Sequence, residues 1–317
     1  MVHGLRSTPQ HRVLRLVTAC AVPQEYCAVS VSTLASKPSS LTFGEAAALP
    51  LAGLTAAQSL TRANVVAGSK VIVTAGSGGV GSLAIQLAKA RGAKVATTCS
   101  PRNFDFVKSL GADVTINYRY ASTYPRRSHA CVVRVPDVCC TRATTVARAL
   151  RGEQYDAAVD CTNEAFSLLP VLKPKAIVAS ILSLPSKSNL QKLPAAYNKD
   201  LSGCLICCVG CVSWCGLSCC RPSTWCCCGS KEVTGVLTLP YGSDLQRLAT
   251  MAERQELRPI IYKRFPLAAA VDAMRCLEGG HAVGKVVVDV IPPANGTQAK
   301  TQASPQRASP VPASPLA

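Results

Sequence analysis

The run from Lys70 to Ser100, KVIVTAGSGGVGSLAIQLAKARGAKVATTCS, leaves few folds open. Val71 to Thr74 is a short β-branched, apolar run, which predicts a strand buried on both faces. Gly76, Gly78 and Gly81 follow at G-x-G-x-x-G spacing. Val80, Leu83, Ala84, Leu87 and Ala88 then recur at the interval of one buried helix face. Gly92 ends that helix, and Lys94 to Thr98 reads as a second strand. Alone, the glycine pattern says little. Between a strand and a helix, inside a βαβ unit, it is specific.

The chemistry explains the spacing. Gly76 allows a tight turn, Gly78 lets the backbone approach a pyrophosphate, and Gly81 lets the helix pack close to the strand. Ser77, Gly79 and Val80 complete the loop, and the helix N-terminus offers free N–H groups and a positive dipole end to phosphates. The plainer reading is a glycine-rich turn without a ligand; with strand, helix and second strand all present, dinucleotide binding is preferred. An NAD site wants an acid about twenty residues further on, at the end of the second strand. Here that place reads Thr98-Cys99-Ser100-Pro101-Arg102-Asn103, with no carboxylate before Asp105. A hydroxyl at Ser100 and a guanidinium at Arg102 suit a 2′-phosphate, so the expected cofactor is NADP(H). Arg102 has an alternative reading as a solvated charge at a helix start.

At 317 residues the chain is long enough for one large domain or two smaller ones. Its net charge of +17 invites a nucleic-acid reading, so the location of the charge decides. Residues 1–20 hold Arg6, Arg12 and Arg15 without an acid, and residues 119–151 hold seven arginines against Asp137. Lys300 and Arg307 lie in the tail, so +11 of the +17 falls outside the stretches that read as folded core. Aromatic residues do not interleave with these charges as a single-strand groove requires, and no nucleic-acid partner is expected. Ten of the eighteen cysteines fall between Cys204 and Cys228, leaving ordinary cysteine usage elsewhere and a reducing compartment as the expectation.

Further along, Glu25 to Val29 reads as a strand, and Thr42 with Glu45 forms a capping box ahead of a helix. Leu51 to Ala57 is helical. After the glycine unit, Val233 to Leu239 reads as a strand, and Leu245, Leu248, Ala249 and Ala252 mark a helix face. Leu267, Ala270, Val271, Met274 and Leu277 make a second face, ended by Gly279-Gly280, and Val286 to Val290 closes as a strand.

Three groups of residues together resemble the medium-chain dehydrogenase/reductase superfamily, in its zinc-independent quinone-oxidoreductase branch. They are Ala46 to Ala56 (AAALPLAGLTA), Gly76 to Gly81, and Ala84 to Lys89 (AIQLAK). Leu110-Gly111-Ala112-Asp113, Ile116-Asn117-Tyr118, Leu257-Arg258-Pro259, Phe265-Pro266-Leu267 and Gly279 to Val288 fit the same pattern; the resemblance covers residues 21–118, 152–203 and 233–291. It implies an α/β fold, a doubly wound parallel Rossmann sheet with part of a GroES-like catalytic domain. It also implies an NADPH-dependent oxidoreductase that transfers hydride to an activated carbonyl or C=C bond of a quinone, enone or enal.

On this resemblance Gly76, Ser77, Gly78, Gly79, Val80 and Gly81 hold the pyrophosphate, while Ser100, Arg102 and Tyr118 lie where the family contacts the 2′-phosphate. Thr55 falls at the nicotinamide end, and Asp160-Cys161-Thr162-Asn163 at the mouth of the fourth strand, which adds Cys161 and Thr162 to the cofactor-binding set. Tyr118 also reads as a strand end and Thr55 as a helix-packing hydroxyl. No catalytic residue is named, because most of the substrate-side domain precedes Ala21 in the family. A homodimer and a cytoplasmic or organellar location, mitochondrial or chloroplast, are compatible with it. A non-catalytic NADP(H)-binding protein is the alternative function.

The expected division is an irregular extension over 1–20, a remnant of the catalytic domain over 21–60 and 256–291, a Rossmann domain over 61–255, and a disordered tail over 292–317. Two irregular inserts interrupt the Rossmann part, the Arg-rich 120–145 and the Cys-rich 203–230. The second has C-x-x-C spacings, helix-face cysteines and an apolar run slightly short of a membrane span, but no histidine and no acid. No metal and no stable membrane span are expected.

Overall fold

The computed structural model describes residues 13–15, 29–118, 150, 152–181 and 231–290. The two inserts and the tail lie outside the described residues, as does nearly all of the 1–20 extension and of the strand expected at Glu25 to Val29. Strand β1 (Val13–Arg15) pairs antiparallel with β2 (Leu34–Ser36). Then come α1 (Phe43–Ala48), α2 (Pro50–Arg62), β3 (Lys70–Val73), α3 (Gly79–Ala90), β4 (Lys94–Cys99), α4 (Phe104–Ser109) and β5 (Val114–Asn117). The chain continues with β6 (Tyr155–Asp160), α5 (Ala165–Leu168), β7 (Leu172–Ser180), β8 (Glu232–Gly235) and α6 (Gly242–Glu253). It ends with β9 (Ile261–Pro266), α7 (Ala270–Glu278) and β10 (Lys285–Asp289).

Strands β3 to β8 form one parallel sheet in the order β5-β4-β3-β6-β7-β8. The chain starts in the middle at β3, builds outward to β5, then returns to lay β6 on the other side of β3. That reversal opens a crevice at the C-terminal ends of β3 and β6, where sheets of this kind bind ligands. Val71, Ile72 and Val73 are fully buried, because helices cover both faces of β3, as its unbroken apolar run requires.

Local chemistry sets the helix ends. The Thr42 hydroxyl accepts from Glu45 N–H at 3.3 Å, and the Glu45 carboxylate accepts from Thr42 N–H at 2.8 Å, the reciprocal box legible in the sequence. Pro50 opens α2, where its missing N–H costs nothing. Gly92, at φ 76°, ends α3. Its N–H bonds Lys89 O, and the N–H of Ala93 bonds Ala88 O. Helix α3 is buried on more than one stripe, since Ser82, Ile85 and Gln86 are covered along with Leu83, Ala84, Leu87 and Ala88. It packs against β3, β4 and α2, which itself reaches the sheet at β7, and the Gln86 side chain is satisfied by the backbone of Arg258, at 3.0 and 2.8 Å.

Two expectations need correction. Strand β8 stops at Gly235 rather than Leu239, because the backbone of Leu239 pairs with the Gln58 amide on α2 (2.8 and 2.9 Å) instead of a neighbouring strand. The apolar face expected on α7 is not core. Val271, Met274 and Leu277 are 63%, 59% and 47% exposed, and the helix rests on β9 and β10 through Ala273.

Strands β9 and β10 form a separate parallel pair, braced by Arg264 and Asp289 (2.6 and 3.0 Å). A bridge between Gly78 and Gly284 attaches this pair to the glycine loop. Among the described residues, no helix is long and apolar enough to cross a membrane.

Candidate functional site

The glycine loop leaves β3 through Ala75, whose φ of 51° is unusual for a residue with a side chain. Two bonds hold it there: its N–H donates to the Thr98 hydroxyl at 3.0 Å, and its carbonyl accepts from Gly78 N–H at 2.9 Å. The tight turn thus places Ala75, not Gly76, in the left-handed region. Gly76 is needed for a different reason. A Cβ there would lie 2.0 Å from the Thr97 hydroxyl, which is fixed by donating to Val73 O at 2.7 Å. Gly81 is required by close approach, because its Cβ would meet the Ala75 carbonyl oxygen at 2.2 Å. Gly78 is the open position, with only Ala75 O near its Cβ, at 3.2 Å.

Gly78 is the N-cap of α3 and supplies no side chain, so the first-turn N–H groups of Gly79, Val80 and Gly81 have no capping partner. They lie beside a recess of about 360 Å³ that Leu277, Gly280, Gly284 and Lys285 close from the β10 side, with Ser77 O accepting from Gly284 N–H at 2.9 Å. Lys285 packs its stem over Gly79, where a Cβ would lie 2.4 Å from its Cδ. It has no carboxylate partner among the described residues, and burial holds its ammonium below the usual lysine range. An uncapped helix N-terminus and an unpaired ammonium share one recess. Both favour an anion.

The crevice between β3 and β6 has a buried carboxylate as its hub. Asp160 Oδ1 accepts from the Thr74 hydroxyl (3.2 Å), the Thr162 N–H and hydroxyl (3.0 and 3.1 Å) and Glu164 N–H (3.1 Å), while Oδ2 accepts from the Ser180 hydroxyl (2.9 Å). The Thr74 hydroxyl in turn accepts from Cys161 N–H at 2.7 Å and lies 3.1 Å from the Thr162 hydroxyl. Thr162 is therefore bonded into the wall of the crevice. The Cys161 thiol is pushed up to about 12 by burial and by the neighbouring Asp160, so it stays protonated at neutral pH.

Of the remaining expected residues, Ser100, Arg102 and Tyr118 follow the C-terminal ends of β4 and β5, and Thr55 lies apart on α2. Cys99 of β4 pairs with Asn117 of β5, so Ser100 and Tyr118, which directly follow the two strands, leave neighbouring strand ends at the C-terminal edge of the sheet. Arg102 is exposed on the single 3₁₀ turn that follows Ser100. Thr55 is buried on α2. Its hydroxyl donates to Leu51 O and lies 2.7 Å from the Thr238 hydroxyl, joining α2 to the segment after β8.

Lys285 and Asp160 were not among the residues expected to bind the cofactor. Lys285 carried no local signal, since only the pairing of β10 brings it to the loop. Asp160 carried one, as an acid at the end of an apolar strand.

A parallel sheet with this strand order and a glycine-rich strand-to-helix turn defines a Rossmann-type dinucleotide-binding fold. A family model described as zinc-binding dehydrogenase matches residues 110–288, and the chain belongs to that family, in the quinone-oxidoreductase-like branch of the medium-chain dehydrogenase/reductase superfamily. The chain is 29% identical over 273 residues to the chloroplast envelope quinone oxidoreductase homolog of Arabidopsis thaliana, covering 84% of this chain and 68% of the relative. To the chloroplastic NADPH-dependent alkenal/one oxidoreductase of the same plant it is 30% identical over 272 residues, covering 84% and 53%. The quinone oxidoreductase structure from Coxiella burnetii superposes with a TM-score of 0.58 at 29% identity, over 83% of this chain and 65% of that one. The chain thus spans about two thirds or less of these proteins.

The family's name raises the question of zinc. Among the described residues no three His, Cys, Asp or Glu side chains converge as a metal site. The described residues do not fit the metal.

Proposed function

We propose that this chain binds NADPH along the C-terminal edge of the sheet and serves a reductase of the quinone, enone or enal type. The observation that carries the reading is the recess in which the uncapped N–H groups of Gly79, Val80 and Gly81 meet the unpaired Lys285. A pyrophosphate is the anion that the glycine spacing accommodates. Ser100, Arg102 and Tyr118 receive the adenosine 2′-phosphate, and Thr55, Cys161 and Thr162 lie toward the nicotinamide end. In the domain division that goes with this reading, residues 61–255 bind the cofactor, and 21–60 with 256–291 belong to the substrate side.

The bound dinucleotide supplies the hydride; the protein's own residues orient it and shield its charge. The relatives named above are a quinone oxidoreductase homolog and an alkenal/one oxidoreductase, which supports an activated carbonyl or C=C bond as the acceptor. Their chloroplast locations support an organellar or cytoplasmic setting.

The second reading is an NADP(H)-binding protein without turnover. It is favoured by the chemistry at the crevice, where the Cys161 thiol, raised to about 12, is a poor acid and Asp160 accepts from five donor groups, so no proton donor is assigned among the described residues. Titration of the purified chain with NADPH and NADH, then turnover with a quinone and an enone, separates the two. NADPH binding with turnover supports the reductase, binding without turnover supports the second reading, and absence of binding rejects both.

A further inference from the structure

A groove of about 830 Å³ lies between α2, α3 and α6, bordered by the segment that follows β8. It shares no lining residue with the recess at the glycine loop. Leu87, Val236, Leu248 and Met251 give it apolar walls, and Leu237 and Tyr241 remain 49% and 43% exposed. Three guanidiniums, from Arg62, Arg91 and Arg247, line it against one carboxylate, Asp244, which lies 3.7 Å from Arg247.

Among the described residues the two inner arginines have no counterion. Arg91 is half-buried, and its Nη2 donates to Ala57 O and the Thr61 hydroxyl at 3.2 and 3.0 Å. Its Nε and Nη1 have no acceptor among the described residues, and burial lowers its pKa. Arg62 makes no hydrogen bond or ion pair with any described residue. Both stand at the C-terminal ends of helices, where the dipole favours a cation. The dipole accounts for their charge but not for the apolar hollow in front of them.

We propose that this groove binds a small amphipathic organic anion, its carboxylate held by Arg62 and Arg91 and its aliphatic body lying along Leu237, Leu248 and Met251. The volume lies within the range of about 300–1,000 Å³ common for small-molecule sites. A planar guanidinium pair suits a carboxylate better than a point charge would.

Calorimetric titration of the full chain with decanoate, decanol and decylammonium, each below its micelle concentration, tests the assignment. Saturable 1:1 binding of decanoate is expected, with decanol at least about tenfold weaker and decylammonium unbound. Arg62→Gln is expected to weaken decanoate about tenfold or more, in line with the loss of a charge-assisted hydrogen bond. NADPH affinity should stay at the parent value and the thermal midpoint should fall by no more than a few degrees, because Arg62 loses only its helix-dipole interaction and no ion pair among the described residues. Arg91→Gln should weaken decanoate as well, but it also cuts the tie between α2 and α3, so Arg62→Gln is the deciding variant. Equal affinity for decanoate and decanol, unchanged decanoate affinity in Arg62→Gln, or no saturable binding would each overturn the proposal.

Discussion

A Cβ on Gly81 would lie 2.2 Å from the carbonyl oxygen of Ala75, so the first turn of α3 is pressed against the residue that leaves β3. The same carbonyl accepts from Gly78 N–H at 2.9 Å, and Ala75 holds a left-handed backbone to make both contacts. Nothing in that arrangement can retreat without opening the turn. Gly81→Ala should therefore cost about 1–3 kcal/mol in denaturant unfolding and weaken NADPH as the helix N-terminus shifts. Parent stability in this variant would mean that the loop is looser than the structure indicates.

Gly78 gives the opposite outcome. Its Cβ would meet Ala75 O at 3.2 Å, a tight contact that a shift of a few tenths of an ångström relieves and far milder than the 2.2 Å at Gly81. Gly78→Leu should leave the unfolding midpoint within about 1 kcal/mol of the parent, yet abolish NADPH binding by filling the approach to the helix N-terminus. Unchanged NADPH affinity would remove the pyrophosphate from this loop.

Arg102 is exposed and has no ion-pair partner among the described residues, so its loss should not affect folding. Arg102→Ala is expected to weaken NADPH about tenfold or more while NADH affinity stays constant. Parallel losses for the two cofactors would show that the guanidinium does not meet the 2′-phosphate.

Lys285 yields a prediction whose sign depends on pH. Burial lowers its folded pKa below the ordinary 10.5, so the charged form is penalised in the native state. That cost is present in full below the lowered value and disappears as pH rises through 10.5, where folded and unfolded chains are both neutral at this site. Lys285→Met should raise the denaturation midpoint at neutral pH, and its advantage should shrink as pH approaches 10.5. The same variant should weaken NADPH. A midpoint below the parent at neutral pH would contradict the geometry.

The Asp160 hub distinguishes shape from charge. Its Oδ1 takes four of the bonds and its Oδ2 only the Ser180 hydroxyl, which can turn and accept. Asp160→Asn, with its carbonyl in the Oδ1 position, should cost less than about 1.5 kcal/mol and keep NADPH binding. Asp160→Ala, which strands buried donors from both strands, should cost about 3 kcal/mol or more. Equal costs would mean that the carboxylate charge, rather than the bond pattern, holds the crevice together.

The sheet and its glycine turn were legible in the sequence because they arise from local rules. A β-branched run, glycines at fixed spacing and an amphipathic helix are each read within a dozen residues. The β3–α3–β4 unit, the Thr42–Glu45 box and the end of α3 at Gly92 all have the form those rules predict. The role of each glycine was less legible. Gly76 reads as the turn residue, yet Thr97 on the neighbouring strand excludes its side chain while Ala75 makes the turn. That distinction depends on how closely two strands and a helix approach.

The amino-acid sequence alone determined the glycine loop and the order of elements around it, because backbone conformation and hydrophobic period are short-range properties. Tertiary structure alone decided that Lys285 faces Gly79, that Asp160 gathers donors from Thr74 after β3 and Ser180 of β7, and that α7 turns Val271, Met274 and Leu277 outward. Each depends on pairing between segments far apart in the chain, and no local period encodes which distant surface a side chain will meet.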